Sequence, residues 1–219
     1  MSEGSARQSV LVKFYQRYLA DGDTPLFITA IAQIYSIATL ERILMVGDIH
    51  ARRAAALALG LIGPQSSITK LGPLLNVADR KLRLVADDSL RAIASREGTA
   101  EQRHTLERVI RLNECSDFEK AIELSSSCIE STGGTSELFH QRSLAYFQLD
   151  FIKQAIEDCR HTLKLNPFHY AAMVGLGHCY LDHGDLIDSL FWFRQSLEIY
   201  PDLEPIRIQV RRLEKAIQE

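Results

Sequence analysis

The sequence lacks the features that mark several large classes of protein. It has only four cysteines in 219 residues and no Cys-x-x-Cys pair, which excludes a disulfide-stabilised scaffold. No apolar run approaches the roughly 18 residues that a membrane-spanning helix needs. The first ten residues, MSEGSARQSV, contain an acid and no apolar stretch, unlike a signal peptide. We therefore expect a cytoplasmic protein with no membrane partner, in which cysteine serves as a small buried residue.

Catalytic and metal-binding motifs are missing as well. There is no Gly-rich phosphate loop, no Gly-x-Ser-x-Gly and no His-Glu-x-x-His. The segment GLGHCYLDHGD at 175–185 holds two histidines and a cysteine, but His178 and His183 are five residues apart and do not share a helix face. Two ligands alone do not complete a zinc site. We predict no catalytic residue, no cofactor and no metal site.

The charge is distributed unevenly along the chain. Residues 50–111 contain eleven Lys or Arg and six Asp or Glu, a balance of +5, whereas residues 112–219 contain ten and seventeen, a balance of −7. The first 49 residues contribute −1, which brings the net charge to −3. Such asymmetry carries information about partners rather than about fold.

A 34-residue period runs through the C-terminal half. Pro167 and Pro201, which are 34 residues apart, each end a run of helical pattern. The same offset joins two further sets of positions: Phe118, Ile152 and Leu186, and Ala121, Ala155 and Ser189. A fixed period of this length is typical of stacked helix–turn–helix units.

Residues from about 100 to 203 resemble three tetratricopeptide (TPR) repeats. The third copy is the clearest, and its matching positions are Met173, Leu176, Gly177, Tyr180, Ser189, Phe193 and Pro201. The second copy departs from the family at Arg142, where Leu is usual, and at Cys159, where Phe is usual. The first copy keeps the pattern at Leu112, Phe118 and Ala121 only. Small Gly177 and Ser143 indicate close approach of two antiparallel helices.

The segment after Pro201 predicts a capping helix. Ile206, Val210, Leu213 and Ile217 form one apolar stripe at helical spacing, with charged residues largely off it. A solvated helix of this kind closes a row of repeats.

The N-terminal half contains a weaker repeat with an offset of 31. Asp48 matches Asp79 and Arg52 matches Arg83 in two alanine-rich segments that resemble the second helices of HEAT repeats. Two interpretations stay open for the two arginines: each pairs with a loop Asp in a ladder between repeats, or each contacts an anion. Further helices are predicted at about Ser9–Ala20, Pro25–Ile34, Ser36–Val46 and Ser67–Val77.

Together these resemblances imply an all-α protein that forms a right-handed α-α superhelix (solenoid). We expect HEAT-like repeats over residues 1–98, three TPR units over 99–203 (about 102–135, 136–169 and 170–203), and a capping helix over 204–219.

In TPR arrays the first helix of each unit lines a concave groove, so the resemblance implies a partner-binding site on those helices. The expected groove residues are Arg103, Glu137, His140, Leu144, Phe147, Gln148, Val174, His178, Leu181 and Asp182. Leu106 and Ile110 belong either to the groove or to packing against the preceding helices. A well-known TPR variant holds a peptide C-terminal carboxylate with Lys, Arg and Asn. This chain has Leu106, Ile110, His140, Leu144 and Gly175 at such positions, which argues against that mode.

The favoured function is a non-catalytic protein-interaction scaffold or adaptor that binds a peptide or amphipathic helix with two or three apolar anchors. One alternative is nucleic-acid binding through the basic segment 50–111, with Arg53, Arg80, Lys81 and Arg91 as anion contacts. An acidic pI near 6.2 and the lack of interleaved aromatics disfavour it. A second alternative is an enzyme such as the HEAT-type lyases or DNA glycosylases, for which no catalytic motif is present.

Overall fold

The computed structural model describes residues 9–218, and this part of the chain is helical with no β-strand. The segment 1–8, on which the signal-peptide interpretation mostly rests, lies outside the described residues. The described chain divides into two compact units, residues 1–93 and 94–219. The predicted boundary at 98/99 lies a few residues further along and stays a prediction.

From residue 9 onward, the first unit contains six α-helices. They are α1 (Val10–Asp21), α2 (Thr24–Ile34), α3 (Ile37–Val46), α4 (Ile49–Ile62), α5 (Ile68–Leu71) and α6 (Arg80–Ala94), the last of which ends at the unit boundary. Side-chain caps begin several of them: Ser9 accepts from the backbone N–H of Val12, and Asp48 accepts from those of His50 and Ala51. Helices α3 and α4 pack together, and α1 contacts both α2 and α4.

One predicted helix of this unit is wrong. Instead of a continuous helix at Ser67–Val77, the chain forms a single α turn, α5, between two 3-10 segments, Gln65–Ser67 and Gly72–Asn76. Pro73 has no backbone N–H and its ring displaces the preceding turn, so an α-helix does not continue through it. The leucines of "LGPLL" still face the core, since Leu71, Leu74 and Leu75 are all buried.

Helices α4 and α6 approach closely at Gly60. A Cβ built on Gly60 would lie 2.8 Å from the Cα of Ser89, and the Ser89 hydroxyl donates to the Ala56 carbonyl at 2.9 Å. Asp79 accepts from the N–H of Leu82 near the start of α6, as Asp48 does at the start of α4. The offset of 31 thus joins two capping aspartates, although the HEAT resemblance itself stays a prediction.

The second unit contains three antiparallel helical hairpins and one further helix. They are α7 (Ala100–Glu114) with α8 (Phe118–Thr132), α9 (Ser136–Gln148) with α10 (Ile152–Leu165), α11 (Tyr170–Asp182) with α12 (Leu186–Ile199), and α13 (Glu204–Gln218). Each helix contacts the next along the chain. Asn166 and Tyr200 end α10 and α12 immediately before the two prolines, as predicted.

The turns inside the three hairpins are equivalent, which confirms the 34-residue period. Ser116, Asp150 and Gly184 all have positive φ, at 60°, 62° and 83°. The N–H of the following residue reaches back to the carbonyl five residues earlier, from Asp117 to Leu112, from Phe151 to Tyr146 and from Asp185 to Tyr180, at 2.9 Å each time. The first hairpin therefore has the geometry of the others despite its divergent sequence.

Small residues set the separation of the paired helices. A Cβ built on Gly177 would lie 2.4 Å from Cε1 of the Phe193 ring, which is fully buried. Ser189, which faces α11, donates from its hydroxyl to the Gly177 carbonyl at 2.8 Å. The prediction that Gly177 is small because α11 and α12 nearly touch is confirmed.

The core of this unit is a series of apolar clusters, each shared by successive helices. One contains Val109, Ala121 and Leu138 from α7, α8 and α9. The next joins Cys159 of α10 to Leu176 of α11, with Trp192 packed against it. The last joins Phe193 to Ile206, Val210 and Leu213 of α13. The predicted stripe of α13 is buried except for Ile217, which is 41% exposed near the chain end.

Candidate functional site

The first helices of the three hairpins adjoin one another in the second unit. Helix α9 contacts both α7 and α11, in addition to the contacts along the chain. We name the exposed and half-buried side chains of α7, α9 and α11 together the first-helix face. The predicted groove residues all lie on these three helices.

The apolar part of the first-helix face comes from α9 and α11. Leu144 is 38% exposed, and Phe147 is partly buried with its ring 6.5 Å from that of His178. Val174 and Leu181 are partly buried because they pack against the cluster around Phe193. Of these four side chains, Leu144 is the most accessible to a partner.

The polar groove residues differ in how far they are free to bind. Gln148 and Asp182 are exposed, whereas Arg103 donates to the Gly98 carbonyl at 2.6 Å. His178 lies edge-on to the Phe193 ring at 5.0 Å, and its burial lowers its pKa despite the carboxylate of Asp182. The His178 ring is therefore a neutral, partly apolar element of this face near pH 7.

The structure favours packing over groove exposure for Leu106 and Ile110, but the packing it shows is within the second unit. Leu106 is 7% exposed and belongs to the cluster that also contains Val109, and Ile110 packs against that cluster. These two residues contribute to the core of the second unit rather than to an open surface.

Glu137, His140 and His169 meet at one point, which the sequence did not predict. Each offers an atom able to bind a metal, and the three atoms lie within 4.8 Å of one another. His169 caps the N-terminus of α11, where its Nδ1 accepts from the N–H of Ala172 at 3.1 Å, and its Nε2 is 3.2 Å from Glu137 Oε2. We name these three residues the His-Glu cluster.

The protonation states within the His-Glu cluster follow from burial and from its mutual charges. Burial lowers the pKa of His140 to about 4, and the nearby His169 acts in the same direction. Burial alone raises the pKa of Glu137, but the hydrogen bond and charge of His169 and the charge of His140 outweigh it and hold the pKa at about 2. Near pH 7 the cluster therefore contains an ionised carboxylate beside a neutral, buried imidazole.

Two of the three residues of this cluster could have been found from the sequence. Glu137-Leu-Phe-His140 is a Glu-x-x-His pair, whose i and i+3 side chains lie on one helix face, as metal ligands do in helical bundles. His169 could not be added, because only the packing of α11 against α9 brings it near.

Among the described residues, the histidines and cysteine of segment 175–185 do not form a group that could hold a metal ion. Cys179 is buried, which raises the pKa of its thiol to about 12, so it stays protonated near neutral pH. His183 is exposed at the end of α11.

The basic residues of segment 50–111 are partly engaged within the protein. Arg53 forms a bidentate pair with Asp79, in which the Nε to Oδ1 distance is 3.0 Å, and Arg91 is paired with Asp87 at 2.8 Å. Arg80 and Lys81 are exposed. Their role as anion contacts stays a prediction, with Arg53 disfavoured because its guanidinium already binds a carboxylate.

For Arg52, the predicted pairing with a loop Asp takes another form. Arg52 donates from Nε to the carbonyl of Leu44 at 3.0 Å, and Arg83 donates to the carbonyl of Val77 at 2.7 Å. The described geometry gives the aspartate-binding role to Arg53 instead of Arg52.

The fold resembles that of a solved TPR domain. The structure of the first TPR of Spaghetti (RPAP3) bound to the HSP90 peptide SRMEEVD superposes with a TM-score of 0.53 over 56% of this chain and 97% of that one, at 18% sequence identity. The chain has a TPR-like fold. At this identity the likeness shows the fold alone.

Two curated proteins share sequence similarity with part of the chain. The BBSome complex member BBS4 of Bos taurus is 33% identical over 69 residues, and heat shock protein STI1 of Saccharomyces cerevisiae is 32% identical over 84 residues. These stretches span 32% and 38% of this chain but only 13% and 14% of the two relatives. No protein-family model matches the chain.

Among the described residues, no single helix is both long and apolar enough to cross a membrane. Helices α2 and α3 satisfy the criteria of length and composition only as a pair, and they are bent by 95° at their junction.

Proposed function

We propose that the protein is a non-catalytic interaction adaptor that binds a peptide or an amphipathic helix of another protein on the first-helix face. The observation that carries this proposal is the placement of accessible Leu144 beside Phe147, with Val174 and Leu181 on the neighbouring first helix. Apolar side chains flanked by exposed polar ones suit a ligand that inserts two or three hydrophobic anchors.

The similar proteins support a protein partner without identifying it. The RPAP3 domain that shares this fold is bound to a peptide, and the two partial relatives are a member of the BBSome complex and a heat shock protein. We further propose that the two units form one continuous superhelix of HEAT-like and TPR repeats and that the protein acts in the cytoplasm.

The ligand should differ from an acidic C-terminal tail. The peptide SRMEEVD has three carboxylate side chains among its last four residues, whereas segment 112–219 of this chain has a net charge of −7. The positions that hold a terminal carboxylate in other TPR domains are here Leu106, Ile110, His140, Leu144 and Gly175. Repulsion and the absence of cationic partners both oppose binding of such a tail.

The test is a peptide-display selection against the whole chain, followed by affinity measurements with synthetic peptides. We expect ligands with two or three apolar anchors, and loss of their binding in Leu144→Asp, because a charge replaces an anchor contact. The control is Ile187→Asp, which changes an exposed residue on a second helix and should leave binding intact. Labelled SRMEEVD should not bind.

The outcomes separate the two modes of recognition. If Leu144→Asp keeps full affinity and an unchanged circular dichroism spectrum, the first-helix face is not the site. Micromolar binding of SRMEEVD would instead indicate recognition of an acidic tail.

A further inference from the structure

The His-Glu cluster brings together three atoms that can bind a metal ion, and two of its residues, Glu137 and His140, also belong to the predicted groove. Glu137 and His140 project from one face of α9, and His169 approaches from the start of α11. The centres of the two imidazole rings are 4.5 Å apart. We propose that Glu137, His140 and His169 bind a divalent transition-metal ion, and that Zn²⁺ is the ion best suited to them.

An unpartnered atom of a buried side chain supports this proposal. His140 is only 8% exposed, and its Nδ1 is buried without a hydrogen-bond partner among the described residues. A buried polar atom in this condition lowers the stability of the fold, so native proteins rarely leave one. Coordination of a cation through Nδ1 gives this atom the partner that it lacks.

The one separation that is close to a tetrahedral value is that between His169 and Glu137. Zn²⁺ binds nitrogen and carboxylate oxygen at about 2.0–2.2 Å in tetrahedral geometry, which places two ligand atoms about 3.3 Å apart. The distance between His169 Nε2 and Glu137 Oε2 is 3.2 Å. A charge-assisted hydrogen bond is normally shorter, at about 2.7–2.9 Å.

The chemistry of the three ligands matches the same ion. Two imidazoles and one carboxylate form a donor set that Zn²⁺ uses when a fourth position stays open. Metal ligands must be deprotonated, so a metal ion competes with protons for these three side chains.

Coordination requires one change at His169. Binding through Nε2 places the proton of His169 on Nδ1, which ends the hydrogen bond from the N–H of Ala172 and requires the ring to turn away from that second donor. That N–H is also 3.0 Å from the backbone carbonyl of His169, so the first turn of α11 keeps an acceptor. Gln141 donates to Glu137 Oε1 at 3.2 Å and orients the carboxylate.

The experiment measures Zn²⁺ binding to the metal-stripped full chain by isothermal titration calorimetry and elemental analysis. We compare the wild type with Glu137→Gln, which preserves side-chain shape, with His140→Ala, and with the control His183→Ala, which removes an exposed histidine outside the cluster. We expect one ion per chain. The affinity should fall at least about tenfold in the two cluster variants, since even outer-shell partners change affinity by that factor.

The control should bind as the wild type does. Absence of binding, or equal affinity in the wild type and Glu137→Gln, would overturn the proposal. Circular dichroism without metal shows whether each variant is folded; if His140→Ala is not, Glu137→Gln alone decides the question.

Discussion

The identity of Arg142 is explained by the side chains that it binds rather than by the repeat pattern. Arg142 occupies a position where TPR repeats usually have Leu, yet it is largely buried and forms two hydrogen bonds with the carboxylate of Asp158, at 2.7 and 2.8 Å. A further bond joins it to the Ser126 hydroxyl, and its guanidinium lies 5.6 Å from the Tyr146 ring centre. This network binds α8, α9 and α10 together through polar contacts where TPR repeats usually have an apolar one.

The network predicts an unusual result for a change toward the family pattern. Arg142→Leu should lower the free energy of unfolding by about 3–5 kcal/mol, because it leaves Asp158 buried without its cation. Adding Asp158→Ala should restore much of this loss, since the uncompensated charge is removed. Urea denaturation followed by circular dichroism measures both. A double variant no more stable than Arg142→Leu would show that lost packing, and not the stranded carboxylate, is responsible.

At the scale of helices and turns, the geometry is more regular than the sequence. The first hairpin keeps few TPR positions, yet its turn has the same left-handed residue and the same backbone hydrogen bond as the other two. Ser116 and Asp150 adopt a conformation for which only the third copy has glycine, at Gly184. Backbone hydrogen bonding and packing therefore preserve the turn where the local preference is weak.

The turn residues should respond differently to substitution. Gly184→Ala should lower the free energy of unfolding by about 1 kcal/mol, because a Cβ is unfavourable at positive φ. Asp150→Gly at the equivalent turn should change it by less than about 0.5 kcal/mol, since relief of strain offsets the greater freedom of the unfolded chain. Thermal and urea unfolding measure both. Equal destabilisation by the two changes would contradict equivalence of the turns.

At the scale of the whole molecule, the limits of the second unit decide which fragment is stable. Glu97 precedes the boundary predicted from the repeats, but its Oε2 accepts from the hydroxyl of Ser136 at 2.7 Å and from its N–H at 3.2 Å. Gly98 likewise provides the carbonyl that binds Arg103. These residues complete the start of α9 and of α7, so they belong to the second unit.

Two fragments test this assignment. A fragment of residues 95–219 should fold cooperatively, because the second unit has its own core. A fragment of residues 99–219 should be less stable by about 1–2 kcal/mol, since it loses the hydrogen bonds to a charged group. Glu97→Gln within the longer fragment serves as a matched variant and should account for part of the difference. Equal melting temperatures for the two fragments would support the boundary at 98/99.

Much of the fold was predictable because helices and short repeats depend on the spacing of apolar, small and helix-ending residues within a short stretch of sequence. The apolar periodicity, the prolines after α10 and α12 and the 34-residue offset each involve residues close in sequence or at a fixed interval. The failure at Ser67–Val77 has a local cause too, since Pro73 overrides an apolar spacing that suits a helix. The helices that carry the candidate groove could be predicted from the sequence. Which of their side chains are exposed and which bind other parts of the protein could not.

The sequence alone determined an all-helical chain with a TPR-like second half, because each hairpin's spacing, small residues and stop signals lie within its own 34 residues. Only the tertiary structure decided that Arg53 and not Arg52 binds Asp79, that Leu106 is core, and that His169 joins Glu137 and His140. Neighbouring residues on a helix point about 100° apart. Which of them meets a side chain 26 or 32 positions away depends on how two helices rotate and settle against each other, and no local pattern records that.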